Sequence, residues 1–454
     1  MSHREASFEE MFSLEHLKTV YTERVRKSSA VGLDKTSLAK FELALDEEIS
    51  LINRKVLAET YSFTPYRQIV ESKGAGKLPR ILSIPTIRDR VTLRVLSEIL
   101  INEFRDKART PSPQEVVKGV VATVESEECT GYIKLDLSDF YGSIDHTAIL
   151  DIIRSSTMDT RAVDLIERAL VTPTHPYSTR SSEKNKRGLP QGVAIANSLA
   201  NIYASSLDEF IAGMPGVIAY YRYVDDVLVL CEYSQTDSLC NGIKRKIEEM
   251  SLVINEDKTR SGLVSAASID FLGYVMCDGM VTARESSKRR IEASLERQIK
   301  AIAKKQKQVD GMGSKCLIKQ LGRRITGCLV SDDGVRYQRY GWLFYFSRMN
   351  DVSYLSHLDR LVQKLCDRHG VELPDGMPTF KKTYYQMRYN AKESAMFPRY
   401  SFSDATKEKR KKLEEDFRGF ADTVRLSDEE VDSVYANELN MLVRGLERDV
   451  GSFS

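Results

Sequence analysis

The sequence predicts an α+β fold in which short antiparallel strands and amphipathic helices alternate along the chain. Stretches such as YIKLDL alternate apolar and polar residues, as half-buried strands do. Longer stretches such as FELALDEEISLINRKVL repeat apolar residues every three to four positions, which is typical of amphipathic helices. The run YYRYVDDVLVL places two adjacent aspartates, Asp225 and Asp226, between two strand-like halves, which predicts a hairpin with carboxylates at its tip.

The elements before this hairpin are predicted in chain order. Residues 1–60 are expected to be helical, and YSFTPYRQIVESKGAGKLPRILSIP predicts a strand, a glycine-rich turn and a second strand. A helix is expected from about Thr86. The segment TGYIKLDLSDFYGSIDH predicts a strand from Tyr132 that becomes helical near Ser143. Further helices are predicted over residues 147–153, 161–170 and 194–210.

The elements after the hairpin become more helical and more basic. SLCNGIKRKIEEMSL predicts an amphipathic helix, and VINEDKTRSG and IDFLGYVMCDGMVT are strand-like. A basic helix is expected from about Arg284 and a second helical part over residues 317–365. Pro and Gly residues over 374–378 indicate a linker, and a helical tail over 403–450 is predicted to begin at an N-cap of Ser403 or Asp404.

Composition is typical of a globular protein, with 42% hydrophobic and 29% charged residues among 454. No apolar run approaches the roughly 18 residues of a membrane helix, and MSHREASFEEMF is not an apolar signal segment. Seven scattered cysteines without a CxxC pair indicate reduced thiols, so we expect a cytoplasmic protein with no membrane partner. Residues 284–324 contain 13 Lys/Arg and four Asp/Glu, which indicates either a polyanion partner or a solvated basic helix.

A second source of carboxylates suggests what Asp225 and Asp226 do. The segment IKLDLSDFY ends a predicted strand with Asp136 and places Asp139 three residues later. Two strand ends that each offer a carboxylate can hold a pair of Mg²⁺ ions, the arrangement that supports in-line phosphoryl transfer. Magnesium prefers oxygen ligands, and Mn²⁺ is a possible substitute, so this chemistry needs no His or Cys cluster.

The ordered motifs resemble those of reverse transcriptases. YIKLDLSDFYGSID resembles the first palm motif, GLPQGVAIANSLANIY the template and nucleotide motif, and YVDD the catalytic hairpin. LVINEDKT resembles the helix–strand motif that follows, DFLGY the primer-grip hairpin, and KGxGKxPRILxIPxxRDR the fingers motifs of bacterial enzymes. The resemblance covers about residues 61–276 and implies a right-hand polymerase with fingers, an antiparallel palm sheet and a helical thumb, plus a helical C-terminal extension.

The implied domains are an N-terminal helical segment (1–60), fingers (61–120), a palm (121–276) with an interleaved fingers segment at about 165–195, a thumb (277–370) and the extension (371–454). The resemblance implies that Asp136, Asp225 and Asp226 are catalytic and bind metal, and that the carbonyl of Leu137 completes a metal shell.

The resemblance also implies the residues that bind the incoming dNTP. Tyr141 occupies the position of the steric sugar gate beside Phe140, although a plain core aromatic is the alternative. Lys73 and Arg80 match positions that hold the triphosphate. Further implied nucleotide contacts have alternatives: Asp139 (or a helix cap), Gln191 (or the template strand) and Lys258, as the proton donor to pyrophosphate (or a solvated lysine).

Template and primer contacts are implied at the PQG turn, the primer grip and the basic helix. Gly192 is expected to let the backbone approach the template. Asn197 and Asn201 are polar contacts or helix surface, with surface favoured for Asn201, and His146 is expected to be structural. The remaining implied contacts are Phe271, Leu272 and Gly273 of the grip and Arg289, Arg290 and Lys300 of the thumb.

The C-terminal half is less diagnostic. RRITG resembles a retron thumb motif, but no Asn-Ala-x-x-His segment is present between the first two palm motifs. The segments YGWLFYFSRMNDVSYLSHLDRLVQKL and KKTYYQMRYN resemble the stand-alone, defence-associated bacterial enzymes. We therefore expect an RNA-directed DNA polymerase that makes a DNA product from a structured non-coding RNA template in antiphage defence.

Three alternatives stay open: a retron enzyme, a template-independent relative, and a maturase-like RNA-binding protein. The apolar stripes of the tail are expected to pack on the parent domain, or to form a homo-oligomer interface, bind an accessory defence protein or bind structured RNA.

Overall fold

The computed structural model describes residues 6–26, 28, 30–72, 79–126, 128–177, 184–266, 268–306, 312–390, 396–418 and 423–451. The chain divides into two compact units, one formed by residues 1–111 and 129–262 and the other by 112–128 and 263–454. Each unit combines helices with short, mainly antiparallel sheets, which confirms the predicted α+β class.

Along the chain of the first unit, helices precede, separate and follow the strands. Its α-helices are α1 (Phe8–Met11), α2 (Leu14–Val20), α3 (Leu38–Leu43), α4 (Leu45–Leu57), α5 (Ile87–Phe104), α7 (Phe140–Ser143), α8 (His146–Arg154), α9 (Thr160–Val171), α10 (Ala196–Ala212) and α11 (Thr236–Glu249). A π-helical turn spans Tyr21–Val25, and 3₁₀ turns span Arg105–Ala108, Tyr233–Gln235 and Glu256–Lys258. Helix α5 begins as predicted, because the Thr86 side chain caps it by accepting from the Asp89 amide.

Two sheets belong to this unit. The strands are β1 (Tyr66–Glu71), β2 (Arg80–Ile84), β3 (Gly131–Ser138), β4 (Thr174–His175), β5 (Val217–Tyr223), β6 (Asp226–Cys231), β7 (Val253–Ile254) and β8 (Arg260–Leu263). The smaller sheet has the order β2-β1-β4, and the larger has the order β5-β6-β3-β7 with β8 also paired to β3. The residues of β3 and β6 are almost all buried, so this central pair is a rigid support for the residues at its ends.

The second unit contains two three-stranded sheets and longer helices. Its elements are α6 (Pro113–Glu125), β9 (Ile269–Phe271), β10 (Tyr274–Cys277), β11 (Met280–Ala283), α12 (Glu285–Gln306), α13 (Met312–Thr326), β12 (Cys328–Ser331), β13 (Tyr337–Tyr340), α14 (Trp342–Tyr345), α15 (Val352–His369), α16 (Phe380–Asn390), β14 (Arg399–Ser401), α17 (Thr406–Lys412) and α18 (Asp428–Val450). A π-helical turn spans Leu413–Phe417. The sheet orders are β11-β10-β9 and β13-β12-β14.

The prediction of a continuous helical part over residues 317–365 is wrong, because β12 and β13 interrupt it. The hairpin turn carries Asp333 and Gly334, and Asp333 accepts from the amides of Val335 and Arg336. Gly327, with φ of +72°, ends α13 where a Cβ would lie 2.4 Å from the Tyr340 carbonyl oxygen. The Asp-Gly pair between two apolar stretches is a hairpin signal that the helical periodicity obscured.

The tail also begins differently from the prediction. Ala405, rather than Ser403 or Asp404, is the N-cap of α17. The Asp404 carboxylate instead accepts from the Ser401 amide at 3.1 Å and from Lys412 at 2.7 Å, so it ties the helix to β14.

Two further expectations concern reduced cysteines and membrane-spanning helices. All seven cysteines are free thiols. Across the described ranges, no helix combines the length and apolar character needed to cross a membrane.

Candidate active site

Backbone pairing brings the three aspartates together at one end of the central strands. In the antiparallel register of β3 and β6, Asp136 lies directly opposite Asp226. Asp225 is in the turn between β5 and β6, and its carbonyl accepts from the Leu137 amide at 3.0 Å. Val224 precedes it with φ of +58°, a strained conformation for a β-branched residue. Such strain is common at functional sites, where the surrounding structure holds it in place.

A buried arginine, Arg222, supports the turn between β5 and β6, and the sequence did not lead us to predict this role. Nε and Nη2 of Arg222 donate to the two oxygens of the Asp208 carboxylate, each at 2.7 Å, and the Tyr220 hydroxyl donates to the same carboxylate. Arg222 also donates to the carbonyl of Val224 at 3.1 Å. An arginine within the otherwise apolar and aromatic strand YYRY is the signal that could have identified this support.

The three carboxylates differ in their hydrogen-bond partners. Asp136 is buried, and its two oxygens accept from Lys258 Nζ at 2.7 Å and from Asn255 Nδ2 at 3.2 Å. Among the described residues, no group hydrogen-bonds the buried Oδ1 of Asp225. Burial raises the pKa of Asp225, and the charge of Asp136 raises it further. Burial and then the charge of Asp225 raise the pKa of Asp226 to about 7.

The carboxylate oxygens of this site are suitable ligands for a divalent cation, although they do not form a complete metal centre. Within the part of the chain that the structure describes, no group of three or more His, Cys, Asp or Glu side chains is placed to hold a metal ion. Lys258 engages one oxygen of Asp136, so a cation at that oxygen would compete with the lysine. Carboxylate oxygens are nevertheless the ligands that hard divalent ions prefer, and the unpaired buried oxygen of Asp225 is available to one.

Tyr141 lies beside this cluster rather than in a remote core. Its hydroxyl donates to Asn197 Oδ1 at 2.8 Å, and its ring meets the buried Phe140 ring at 5.8 Å and 64°. Burial and then the charge of Asp225 raise the pKa of Tyr141 to about 12. The charge of Arg80 opposes this increase and also lowers the pKa of Asp225, so Arg80 acts on the same site. Asn197 is exposed on the surface of α10 and bonds to Tyr141, so both possibilities for Asn197 stay open.

The PQG turn connects β2 to the Tyr141 segment. The Gln191 carbonyl accepts from the Ser83 amide at 2.7 Å, and the Tyr141 carbonyl accepts from the Leu189 amide at 2.8 Å. Gly192 has φ of +97°, and a Cβ there would lie 3.1 Å from the Ser83 carbonyl oxygen. The close approach that requires glycine at 192 is thus to the protein's own backbone.

The structure bears on further alternatives for polar residues. Asp139 occupies the N-cap position of α7 with a left-handed φ of 43°, but its carboxylate makes no capping hydrogen bond, so both readings of Asp139 stay open. Its carboxylate instead lies over Gly142, where a Cβ would be 2.2 Å from Oδ2. Asn201 is buried rather than on the surface, because it donates to Thr110 Oγ1 at 2.7 Å and accepts from Arg222 at 3.1 Å. His146 is buried and lies 2.8 Å from the Gly188 carbonyl oxygen, consistent with a structural role.

The predicted primer-grip residues form a hairpin in the second unit. Leu272 and Gly273 have φ of 48° and 77° and make the turn between β9 and β10. Phe271 and Leu272 are buried, so their side chains stabilise the hairpin. The Leu272 carbonyl accepts from the Tyr345 hydroxyl at 2.9 Å.

The predicted basic residues of α12 have different surroundings. Arg289 and Lys300 are exposed and each pairs with a glutamate one turn earlier, at 3.4 and 2.7 Å. Arg290 donates to the Val450 carbonyl at 3.2 Å, so it is tied to the end of α18. Lys73 lies outside the described residues.

Residues 72–276 match the family model described as "Reverse transcriptase (RNA-dependent DNA polymerase)". This range covers less than half of the chain and contains the three aspartates, Tyr141 and Lys258. The domain match and the mixed helix-and-sheet architecture agree with the predicted right-hand polymerase fold.

Curated relatives are similar at low identity. An "Uncharacterized 91 kDa protein in cob intron" of Schizosaccharomyces pombe is 29% identical over 38% of this chain and 22% of its own length. "Protein YkfC" of Escherichia coli is 23% identical, covering 54% of this chain and 74% of that protein. "Group II intron-encoded protein LtrA" of Lactococcus lactis is 26% identical, covering 37% and 28%. The chain thus spans less than a third of two of these relatives.

Among solved structures, telomerases of Candida tropicalis and Candida albicans are similar, at 13% and 12% identity. They cover 49% and 77% of this chain, and this chain covers 55% and 66% of them, with TM-scores of 0.38 and 0.41. Scores at this level carry no argument about function.

Proposed function

We propose that the protein is an RNA-directed DNA polymerase that copies an RNA template into DNA by two-metal-ion nucleotidyl transfer. The observation that carries this proposal is the cluster of Asp136, Asp225 and Asp226, with a buried Asp225 oxygen that lacks a partner among the described residues. The match of the surrounding residues to the reverse transcriptase family supports it.

The metal ions of this proposal are Mg²⁺, with Mn²⁺ as a substitute. Asp136, Asp225, Asp226 and the carbonyl of Leu137 would hold them. When bound, the ions stabilise the attacking and leaving oxygens during in-line displacement. The carboxylates must be ionised to do so, and a nearby divalent cation counteracts the burial that raises the pKa of Asp225 and Asp226.

The remaining residues would position the dNTP. The Tyr141 ring would exclude a 2′-hydroxyl, and its hydrogen bond to Asn197 would keep the ring in one orientation. Arg80, with Lys73, would bind the triphosphate, and Asp139, Phe140 and Gln191 would complete the nucleotide pocket. Lys258 would hold Asp136 in place before the metal binds and would stay close to the leaving pyrophosphate.

Strand binding is proposed for Gly192, for the hairpin of Phe271, Leu272 and Gly273, and for the exposed Arg289 and Lys300 of α12. The bond of Arg290 to Val450 supports a structural role for Arg290 instead. We infer a positioning role for the primer-grip hairpin, because its side chains are buried and its turn is held by Tyr345.

For the biological role, we propose antiphage defence in the bacterial cytoplasm with a dedicated non-coding RNA. The support is the resemblance of the C-terminal segments to defence-associated enzymes. A retron enzyme, a template-independent polymerase and a maturase-like RNA-binding protein are the alternatives, and the intron-encoded relatives favour the last of these. Sequencing the RNA and DNA that co-purify with the protein separates them: a defined RNA with complementary DNA supports the proposal, and intron RNA without DNA contradicts it.

The polymerase assignment is tested by Asp225→Asn. The change keeps the shape but removes a metal-binding charge, so Mg²⁺-dependent dNTP incorporation on a primed RNA template should fall by at least roughly a hundredfold. Asp164→Asn, at an exposed carboxylate of α9, is the matched control and should retain activity. Near wild-type turnover by a folded Asp225→Asn protein would sink the assignment of the site.

A further inference from the structure

The exposed side chains that the structure describes on α16 are all aromatic or basic. The exposed residues between Lys381 and Tyr389 are Lys381, Lys382, Tyr385, Arg388 and Tyr389. The helix sequence FKKTYYQMRYN contains no Asp or Glu. This combination is unusual for a solvated helix, which normally mixes both signs of charge and hides its large aromatic rings.

The two exposed tyrosines are arranged as a stacked pair. Tyr385 and Tyr389 are 42% and 72% exposed, although tyrosine rings bury much of their surface in most proteins. Their ring centroids are 6.4 Å apart and the ring planes differ by only 11°. The spacing of one helical turn keeps both rings on the same side of the helix. The two rings are therefore nearly parallel and largely accessible to solvent.

The opposite face of α16 holds the helix firmly in place. Phe380, Thr383, Tyr384 and Met387 are buried, and the Tyr384 hydroxyl donates to the Met349 carbonyl at 2.6 Å. The ring of Tyr385 meets the ring of Tyr384 edge-on, at 5.7 Å and 73°. The exposed pair thus stands on a packed support, which reduces the entropy lost when a ligand stacks on it.

The charges of the helix are also arranged for an anionic ligand. The Arg388 guanidinium donates to the Tyr384 hydroxyl and lies 5.8 Å from the centre of the Tyr384 ring, which fixes its position. The carboxylate of Asp359 accepts from the backbone amides of Phe380 and Lys381, at 2.6 and 3.2 Å, so it caps the helix. Lys381 and Lys382 remain exposed at this end.

We propose that this face of α16 is a binding site for single-stranded nucleic acid, in which bases stack on Tyr385 and Tyr389 while Lys381, Lys382 and Arg388 contact the phosphates. Aromatic rings beside cations are the usual components of such sites, because every base has a flat face and every nucleotide has a negative charge. Stacking does not depend on the sugar, so the site accepts RNA and DNA strands without sequence preference. The inference does not depend on the polymerase assignment.

The test measures binding of a fluorescein-labelled oligoadenylate by anisotropy, with an abasic strand of equal length as the second probe. The wild-type chain should bind the oligoadenylate roughly tenfold more tightly than the abasic strand, since stacking is the difference between them. Tyr385→Ala with Tyr389→Ala should remove most of that preference and leave the affinity for the abasic strand unchanged. Tyr385→Phe with Tyr389→Phe should keep the preference, because the rings remain.

Further variants and a second assay distinguish the loss of base stacking from misfolding and from binding at other surfaces. Tyr233→Ala, at an exposed tyrosine of the first unit, should leave the preference unchanged. Lys381→Ala with Lys382→Ala should weaken the binding of both probes. It should also reduce the slope of log affinity against log salt concentration by roughly 0.7 per lysine. First-nucleotide incorporation on a short primed template should be unchanged in the tyrosine variants. The anisotropy comparison needs no polymerase activity, so it stands even if the proposed function fails.

Ribose and deoxyribose oligoadenylates form two arms of the experiment, and a lost preference in both arms supports the site, whereas a loss in one arm alone would contradict stacking that is independent of the sugar. If the alanine double variant remains folded by circular dichroism and binds both probes as the wild type does, the proposal is overturned. Equal losses for the oligoadenylate and the abasic strand would also overturn it, because the tyrosines would then act without stacking on bases.

Discussion

Replacing Tyr141 with alanine should relax discrimination between deoxyribonucleotides and ribonucleotides. The Tyr141 ring is half-buried against Phe140, and its hydroxyl is bonded to Asn197 at 2.8 Å, so the ring has little freedom to move aside. Its proximity to Asp225 places it where the sugar of an incoming nucleotide would lie under the proposed function. A 2′-hydroxyl would therefore meet a fixed ring, and the rejection would be steric.

The size of the effect follows from the cost of overpacking. Forcing an additional group into a packed site costs about 1–3 kcal/mol. At about 1.4 kcal/mol per factor of ten, removing the ring should raise relative ribonucleotide use roughly ten- to a hundredfold. Tyr141→Phe keeps the ring and loses one hydrogen bond worth about 0.5–1.5 kcal/mol, so discrimination should change by less than about tenfold.

The assay is the ratio of kcat/KM for dGTP and GTP opposite one template base, in the wild type and both variants. Circular dichroism and thermal denaturation establish that the variants are folded. If the ratio for an active Tyr141→Ala protein stays within about twofold of the wild-type ratio, the ring is a core aromatic and the sugar-gate reasoning fails.

Two further predictions concern charge and stability. Lys258→Met removes the partner of the buried Asp136, so the free energy of unfolding without metal should fall by about 1–3 kcal/mol. Mg²⁺ should then raise the Tm of the variant more than that of the wild type, and equal shifts in thermal denaturation would contradict the competition between lysine and metal. At Asp89, burial raises the pKa from 3.8 to about 6, although Tyr61, Thr64 and Thr86 donate to the carboxylate. The folded state therefore binds the proton more tightly, and the resulting stability is complete below about pH 4 and is lost as pH rises through about 6. Urea denaturation should show the wild type losing about 2 kcal/mol between pH 4 and 7 relative to Asp89→Asn; a difference that does not vary with pH would show that Asp89 keeps an ordinary pKa.

The central part of the site could be predicted from sequence because its geometry follows from local rules. Alternating apolar residues predicted β3 and β6, and two adjacent aspartates between apolar halves predicted the hairpin. Once these strands pair antiparallel, Asp136 and Asp226 must lie opposite each other. The α5 cap at Thr86 is likewise a local feature, and its boundary was predicted to within one residue.

Contacts that depend on tertiary structure could not be predicted in the same way. Asn201 is on a helix whose periodicity does not reveal that Arg222 and Thr110 enclose it. Arg290 belongs to a basic series that is uniform in the sequence, yet only Arg290 of the three predicted thumb cations bonds to the end of α18. Partners that are distant in the sequence, 91 residues for Thr110 and 160 for Val450, decide such cases, and a single sequence does not identify them.

The strained turn at Val224 and the cluster of carboxylates beside it have a common physical basis. Neither feature stabilises the fold, because a β-branched residue with positive φ and a cluster of partly compensated carboxylates both carry a cost. The cost is tolerated because β5 and β6 pair up to the turn, at Tyr223 and Asp226, and Arg222 bonds the Val224 carbonyl while Asp208 neutralises its charge. Arg222 and Asp208 are not among the proposed ligands of the site. This separation lets the carboxylates keep oxygen atoms free for a cation while the turn itself stays in one conformation, as a preorganised catalytic centre requires.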